Sequence, residues 1–315
     1  NLVSRMVKRA ITAGLMSVGV HVNDLQLTPL PITRQALANG TEVAGFHVRQ
    51  SPRNPKHIDI IVLNADGRDL PSSRTKAIER LFFGEDIRRV RPDDVGRLHF
   101  PERTNEAYLS QYVNSLNMQA IADRKFNIVV DYSYGMTSNV FPRILGELDC
   151  NAVTINGYVD SRKSSRDDEE TSLAQEQLSK LITSLSYAPG FIIDPSSEKI
   201  WIVDEEGHWY SQIRLLSIMT KLVLETHRHR EPYKIVVPIS ASQEIDMMAA
   251  EHNVEVVRIK NSHSAMMDTT QEPGVLFVGG TRGGFIFTDF FFASDGMFSS
   301  GKTLEMLATS GKTIA

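Results

Sequence analysis

Residues 127–155, NIVVDYSYGMTSNVFPRILGELDCNAVTI, decide the fold class of this chain. The segment opens with a nearly continuous apolar run from Asn127 to Asp131, as expected of a strand that is covered on both faces. A turn leads into a predicted helix over 138–148, and a second predicted strand follows at 152–155. Strand, helix and strand in this order form a βαβ unit, which implies a parallel sheet with a right-handed crossover.

The same alternation of apolar patterns occupies the rest of the chain. Downstream, the patterns predict helices at 173–185, 212–225, 242–251 and 297–308, and strands at 191–193, 199–203, 235–237, 254–259 and 275–278. Upstream, they predict helices at 2–18, 76–83 and 106–122, a strand at 58–63, a short apolar segment at 44–48, and a Pro-rich turn at Pro29 and Pro31. The polar stretch 160–170 is predicted to be a surface loop. The chain therefore reads as three successive α/β units.

Composition narrows the classes of protein to which the chain belongs. Its 315 residues are enough for two or three domains, and 41% hydrophobic with 23% charged residues is ordinary for a globular protein. A net charge of −4 gives no electrostatic reason to expect nucleic acid or a membrane as partner. Cys150 is the only cysteine, which excludes an intrachain disulfide and favours a cytoplasmic location. Because Asn1 opens directly into a helix, we expect the chain to be a fragment of a longer protein.

Residues 49–56, RQSPRNPK, lie between a short apolar segment and a predicted strand and carry the first functional motif. The segment resembles the serine loop of the α-D-phosphohexomutase (phosphomannomutase/phosphoglucomutase) family, which reads Thr-Ala-Ser-His-Asn-Pro. In that family the serine carries the transferred phosphoryl group, and the resemblance assigns this role to Ser51. Here one extra residue is present, and the histidine of the family motif is replaced. Cations close by attract phosphate, and the loop offers Arg49, Arg53 and Lys56.

The resemblance also implies a fold and a division into domains. It predicts an α/β protein of three tandem phosphohexomutase-like domains with mixed, mainly parallel sheets around a shared cleft. The expected domains are residues 1–122 with the serine loop, 123–207 with the metal loop and 208–309 with the sugar loop. Residues 310–315 would begin a fourth domain that is missing from this chain.

The loop that binds Mg²⁺ in the family reads Asp-x-Asp-x-Asp-Arg, and the matching segment here is 194–199, DPSSEK. Mg²⁺ requires hard oxygen ligands in a nearly octahedral array. Asp194 retains the first carboxylate, a serine replaces the second, and Glu198 replaces the third with a longer side chain. The sequence therefore predicts a degraded metal loop that holds no ion, and no cofactor in this region.

The sugar loop of the family, Gly-Glu-x-Ser-Gly-His, matches 280–285, GTRGGF, in which the glycines remain and the sugar-binding side chains are replaced. The glycines retain the turn geometry, and their backbone N–H groups, together with Arg282, could also hold an anion. A second motif, Lys-Thr-Gly-His-Ser in the family, matches KNSHS at 260–264 and keeps its two cationic side chains. The resemblance implies that Lys260 and His263 contact the sugar phosphate.

Two functions from different classes, and a purely structural third, are compatible with these residues. The chain is most similar to the mutase-like C-terminal region fused to sugar-1-phosphate nucleotidylyltransferases of the mannose-1-phosphate guanylyltransferase type. It would then bind hexose phosphate, or serve assembly and regulation, without mutase activity. The alternative is a divergent but active phosphomannomutase or phosphoglucomutase that uses Mg²⁺ and a phosphoserine. We expect hexose phosphate as ligand, no nucleic acid or membrane partner, and a homo-oligomer formed through the parent protein. A purely structural oligomerisation domain is the third possibility.

Overall fold

The computed structural model describes residues 1–52, 54–84, 87–227 and 233–315. Over these residues the chain divides into two compact units, 1–107 and 108–315. The predicted domain boundaries, after residues 122, 207 and 309, remain predictions. No helix among the described residues is long and apolar enough to cross a membrane.

In unit 1, residues 1–107, the described residues form four α-helices and four strands. The helices are α1 (Leu2–Ser17), α2 (Leu30–Ala38), α3 (Ser72–Gly84) and α4 (Thr104–Asn114), of which α4 continues into unit 2. The strands are β1 (Val22–Asn23), β2 (Ala44–Gln50), β3 (Ile58–Asn64) and β4 (Leu98–His99). Strands β2 and β3 form an antiparallel hairpin, in which Gln50 is opposite Ile58. The predicted serine loop is therefore the connection at the tip of this hairpin.

Helix α2 replaces the turn that was predicted at Pro29 and Pro31. Pro29 occupies the N-cap position and Pro31 lies in the first helical turn, where a missing backbone N–H costs no hydrogen bond. The helix then buries Arg34, whose guanidinium donates to the Gly67 carbonyl at 2.9 Å and to the Asp69 carboxylate at 2.7 Å. The two prolines thus start a buried helix of unit 1, and the prediction of a turn is wrong here.

Unit 2 contains the remaining elements. Its helices are α5 (Met118–Arg124), α6 (Phe141–Glu147), α7 (Asp168–Leu185), α8 (Gln212–Thr226), α9 (Glu244–Glu251), α10 (His263–Thr269) and α11 (Gly296–Ser310). Its strands are β5 (Asn127–Asp131), β6 (Asn151–Ile155), β7 (Gly190–Ile193), β8 (Ile200–Val203), β9 (Lys234–Pro238), β10 (Glu255–Ile259), β11 (Val275–Gly279) and β12 (Phe285–Phe287).

The strands of unit 2 form two four-stranded sheets of the same design. Their orders are β6-β5-β7-β8 and β10-β9-β11-β12, and in each sheet three strands are parallel and the last is antiparallel. Both sheets are mainly parallel, so the α/β fold class predicted from the sequence is confirmed. Strands β7 and β9 are buried almost throughout, as the apolar runs predicted. Loops that follow parallel strands meet at one edge of a sheet, and this rule places the functional segments.

Two helix boundaries in unit 2 differ from the prediction. The helix predicted over 106–122 is two helices, because the Asn117 side chain accepts from the Ala120 N–H at 3.1 Å and caps a new helix. The loop predicted over 160–170 ends early, because Asp167 and Glu170 form a capping box that starts α7 at Asp168. In both cases a local side-chain cap overrides the periodic pattern.

The core of the first sheet of unit 2 depends on helix α7. Leu178 and Ile182 are fully buried beside Val129 of β5 and Ile192 of β7, and Trp201 packs against this cluster. Burial of a leucine side chain contributes about 1.5–3 kcal/mol, so a few such residues hold the helix on the sheet.

We expect Leu178→Ala to lower the free energy of unfolding of unit 2 by about 2–5 kcal/mol, because it removes buried contacts and leaves a cavity. Leu173→Ala on the same helix is the control, since Leu173 is exposed and its loss should change stability by less than about 0.5 kcal/mol. Urea unfolding followed by tryptophan fluorescence is the measurement, because Trp201 and Trp209 both lie in unit 2. Equal losses in the two variants would contradict this account of the core.

Candidate functional site

Three loops of unit 2 lie side by side. The Asp194–Lys199 loop follows β7, the 280–284 turn joins β11 to β12, and the 260–262 segment joins β10 to α10. An isolated antiparallel bridge joins Lys199 to Gly284, and the Asn261 side-chain amide donates to Thr281 Oγ1 at 3.0 Å. The structure thus brings three segments that the sequence places far apart into one site.

The Asp194 loop is held by its own carboxylate. Asp194 Oδ1 accepts from the backbone N–H groups of Glu198 at 2.8 Å and Lys199 at 2.7 Å. Asp194 Oδ2 accepts from the N–H and the hydroxyl of Ser196. Ser197 has φ +65° and donates its N–H to the Asp194 carbonyl at 2.8 Å. The loop is therefore a closed turn around a buried carboxylate.

These contacts do not fit Mg²⁺ as the residues are arranged. A carboxylate oxygen has two lone pairs, and both Asp194 oxygens already accept two hydrogen bonds each. Among the described residues, no group of three or more His, Cys, Asp and Glu side chains could hold a metal ion. Glu198, the second predicted ligand, is 7% exposed and has its carboxylate beside His263 instead. We therefore assign no step of the chemistry to a metal ion.

Glu198 and His263 link the first loop to the third. His263 Nε2 lies 3.5 Å from Glu198 Oε1; the Glu198 side chain is largely buried and the His263 side chain is partly exposed. His263 is the first residue of α10, a helix that the sequence patterns did not predict, and the Ser262 hydroxyl caps it. Lys260, the other predicted cation of this segment, is exposed.

The 280–284 turn is tight rather than open. Gly280 donates its N–H to the Gly284 carbonyl at 2.8 Å, so this N–H is used inside the turn. Gly283 has φ +81°, and its carbonyl accepts from the Ile200 N–H at 3.0 Å. A Cβ on Gly283 would lie 2.6 Å from the Ile200 carbonyl oxygen. The glycines therefore fix the turn against β8, and Arg282 is the exposed cation at its tip.

The start of α11 lies directly beneath these loops. The Gly296 N–H donates to the Ser197 carbonyl at 2.8 Å, and a Cβ on Gly296 would lie 2.9 Å from the Lys199 carbonyl oxygen. Asp295 caps the helix through the N–H groups of Met297 and Phe298, and its other oxygen accepts from the Tyr108 hydroxyl at 2.6 Å. The start of α11 and the Asp194 loop are therefore held together by close backbone contacts.

Asp295 is buried, and this burial raises its pKa to about 6, although the bonds from Tyr108, Phe298 and Met297 act in the opposite direction. The nearby Glu198 carboxylate also raises the pKa. The family motifs did not single out Asp295. An Asp-Gly pair ahead of an apolar helical pattern is the N-cap signal that could have found it.

The serine loop of unit 1 is a hairpin connection. Ser51 donates its N–H to the His57 carbonyl at 3.0 Å, and the Lys56 N–H donates to Asn54 Oδ1 at 3.0 Å. The predicted phosphate ligand Arg49 lies on β2 and forms a cross-strand ion pair with Asp59 at 3.5 Å. Lys56 is exposed, and Arg53 lies outside the described residues.

His57 is a candidate residue of this loop that motif spacing did not reveal. The family places its histidine directly after the serine, whereas here the ring nitrogen Nε2 of His57 lies 3.5 Å from the side-chain nitrogen of Asn54. The hairpin returns the chain past Ser51, which is why a histidine six positions later shares the loop.

Comparison with known proteins identifies the class of this chain. Three family models match it in succession, and they describe the alpha/beta/alpha domains I, II and III of phosphoglucomutase/phosphomannomutase over residues 1–89, 106–207 and 213–315. The chain belongs to the phosphoglucomutase/phosphomannomutase family. The family resemblance seen in the sequence is thereby confirmed, whereas the comparisons give no support for a nucleotidylyltransferase fusion.

Individual relatives agree with this family. A phosphoglucomutase/phosphomannomutase of Thermococcus kodakarensis is 27% identical over 98% of this chain and 66% of its own length. A phosphoglucosamine mutase of Methanocaldococcus jannaschii is 24% identical over 96% of this chain and 66% of its own length. A crystal structure of a phosphoglucomutase/phosphomannomutase family protein from Burkholderia thailandensis superposes with a TM-score of 0.81 at 17% identity, and covers 95% of this chain and 65% of that protein. The chain thus spans about two thirds of the length of these relatives.

We expect Gly283→Ala to cost about 1–3 kcal/mol, because alanine is strained at φ +81° and its Cβ would displace the Ile200 carbonyl. Amide hydrogen exchange at Ile200 should accelerate, since its N–H loses the bond to residue 283. Gly146→Ala in α6 is the control, because nothing lies within 4 Å of its added Cβ. Unchanged exchange at Ile200 would show that the turn does not need glycine.

Asp295 gives a prediction about pH. Its folded pKa of about 6 lies above the ordinary value of 3.8, so its contribution to stability is complete below about pH 4 and is lost as the pH rises through 6. Asp295→Asn cannot titrate. We expect wild-type unit 2 to lose roughly 3 kcal/mol relative to this variant between pH 4 and 7, at about 1.4 kcal/mol per pKa unit.

Urea unfolding at several pH values, followed by tryptophan fluorescence, measures this difference. The exposed Asp123→Asn is the control for removing one carboxylate from unit 2. Parallel stability curves for the wild type and Asp295→Asn would contradict the raised pKa.

Proposed function

We propose that the protein containing this chain interconverts hexose or hexosamine phosphates by phosphoryl transfer through Ser51. The succession of three domain models of one mutase family carries the proposal. The meeting of the Asp194, Lys260 and 280–284 segments in unit 2 supports it, because these are the segments that resemble the family's binding loops. The substrate class comes from the relatives, which are named phosphoglucomutase/phosphomannomutase and phosphoglucosamine mutase.

In this proposal the Ser51 hydroxyl oxygen carries the phosphoryl group. The phosphoryl passes from Ser51 to a free hydroxyl of the sugar phosphate, which gives a sugar bisphosphate and leaves the serine hydroxyl. The other phosphate then returns to Ser51, and the isomeric sugar phosphate leaves. His57 shares the loop and is the candidate for holding the proton of the serine hydroxyl, because imidazole both accepts and donates protons near neutral pH.

The site in unit 2 supplies the charges that hold the substrate. Lys260 and Arg282 are exposed cations on adjacent segments, since Asn261 bonds to Thr281. Asp194 accepts four hydrogen bonds from its own loop, and the Glu198 carboxylate lies beside His263, so both carboxylates already have polar partners. The charged side chains exposed to an approaching sugar phosphate are therefore the cations Lys260 and Arg282. Charge-assisted hydrogen bonds contribute about 1.5–3 kcal/mol each.

A second function, a binding module without turnover, is favoured by one observation. The Asp194 carboxylate is fully used by its own loop, and Thr281, Gly283 and Phe285 replace the Glu, Ser and His of the family's sugar-binding pattern. In this version the chain senses hexose phosphate or serves assembly in a homo-oligomeric cytoplasmic protein that also carries a sugar-1-phosphate nucleotidylyltransferase domain.

Turnover separates the two functions. We expect the full-length protein to interconvert glucose 1-phosphate and glucose 6-phosphate, or the mannose or glucosamine pair, at about 1–10³ s⁻¹ in a coupled assay with a bisphosphate activator. Ser51→Ala should abolish turnover and leave binding of the sugar phosphate intact. Binding without turnover in the wild type would leave the sensing function.

Binding tests the site in unit 2 independently of turnover. We expect Lys260→Ala and Arg282→Ala each to weaken binding of glucose 6-phosphate about tenfold or more, because each removes a charge-assisted contact. Lys221→Ala is the control, since Lys221 is an exposed cation on α8 and its removal changes net charge equally. Calorimetry that finds the three variants equal to the wild type would exclude both functions at this site.

A further inference from the structure

A cavity of about 360 Å³ lies inside unit 2 between α8, β11, β12 and α11. Its volume falls in the range of about 300–1,000 Å³ that is typical of small-molecule sites. Neither the family motifs nor the proposed reaction uses any of its lining residues.

The cavity lies at a distance from the three loops. Helix α11 begins at Gly296, which donates to the Ser197 carbonyl, whereas Lys302 and Thr309 of the same helix line the cavity. At a rise of 1.5 Å per residue, Lys302 lies about 9 Å and Thr309 about 20 Å along the helix from Gly296. Strand β12 likewise starts at the 280–284 turn and reaches the cavity with Phe287.

One wall of the cavity is charged. Lys302 Nζ lies 2.6 Å from Glu305 Oε2 and 3.4 Å from Asp289 Oδ2, and Glu305 Oε1 accepts from the Asn117 N–H at 2.7 Å. Burial opposes the charge on Lys302, but Asp289 and Glu305 outweigh it and raise its pKa. The ammonium therefore stays charged, and one cation with two carboxylates leaves a net negative wall that disfavours phosphate and other anions.

The opposite wall is apolar. It is formed by Val223, Leu276, Phe287 and Met306, of which Val223, Phe287 and Met306 are buried. A ligand that fits both walls has hydroxyl groups that donate to carboxylates and accept from an ammonium, and C–H groups that pack on apolar side chains. Sugars and cyclic polyols have this composition, and lack of charge avoids the cost of bringing an anion to the two carboxylates.

We propose that this cavity binds an uncharged polyhydroxylated molecule of about hexose size, such as a neutral monosaccharide. The site is separate from the loops that are proposed to hold the phosphorylated sugar. Asp289 and Glu305 accept hydrogen bonds from the ligand, and Lys302 donates one.

Two methionines report on the two sites separately. Met306 lines the cavity, whereas Met266 lies against Gly280, with Cε at 3.1 Å from the position of an added Cβ. In the full-length protein with ¹³C-labelled methionine methyl groups, D-glucose and D-mannose should shift the Met306 signal with a dissociation constant on the order of millimolar, and leave Met266 unchanged. Glucose 6-phosphate should leave Met306 unchanged, and any shift of Met266 by it reports on the proposed function alone.

Thr309 provides the matched variants, because it is exposed at the edge of the cavity. Thr309→Trp should occlude the cavity and weaken glucose binding at least tenfold, whereas Thr309→Ser should retain it. Any of three results would overturn the proposal: no shift of Met306 well above millimolar glucose, equal binding to the Thr309→Trp variant, or a shift caused by cationic glucosamine but by no neutral sugar.

Discussion

The candidate site of unit 2 depends on the hydrogen bond from the Gly296 N–H to the Ser197 carbonyl. This bond joins the start of α11, which Asp295 caps and Tyr108 holds from α4, to the loop that follows β7. The close approach of the backbones leaves no room for a side chain at residue 296. The start of α11, the Asp194 loop and the neighbouring glycine turn are therefore connected by direct backbone contacts. These contacts hold the segments of the candidate site together.

Hydrogen bonds within the Asp194 loop also determine which of its groups can contact a ligand. Because Asp194 accepts four hydrogen bonds from its own loop, its carboxylate holds that loop closed. Glu198 faces His263, and exposed charge at the site comes from Lys260 and Arg282. The site thus favours anions through its cations.

The sequence predicted the features that local patterns encode. The apolar run of β5 indicated the fold class, and motif resemblance located all three segments that meet in unit 2. It did not reveal the Tyr108–Asp295 hydrogen bond, because these residues are 187 positions apart and local sequence patterns carry no information about such distant contacts. It also missed α10 and the break at Asn117, where single side-chain caps decide the structure. Motif spacing did not identify His57, because this residue comes near Ser51 only through the fold of the hairpin.

The central claim is that the three loops of unit 2 form the binding site for a hexose phosphate. Hydrogen–deuterium exchange of the full-length protein, with and without saturating glucose 6-phosphate or mannose 1-phosphate, tests it most directly. The account predicts protection at residues 194–199, 260–263 and 280–284, with the segment around Asp123 unchanged. Protection confined to other parts of the chain under saturating ligand, or no protection at all, would contradict it.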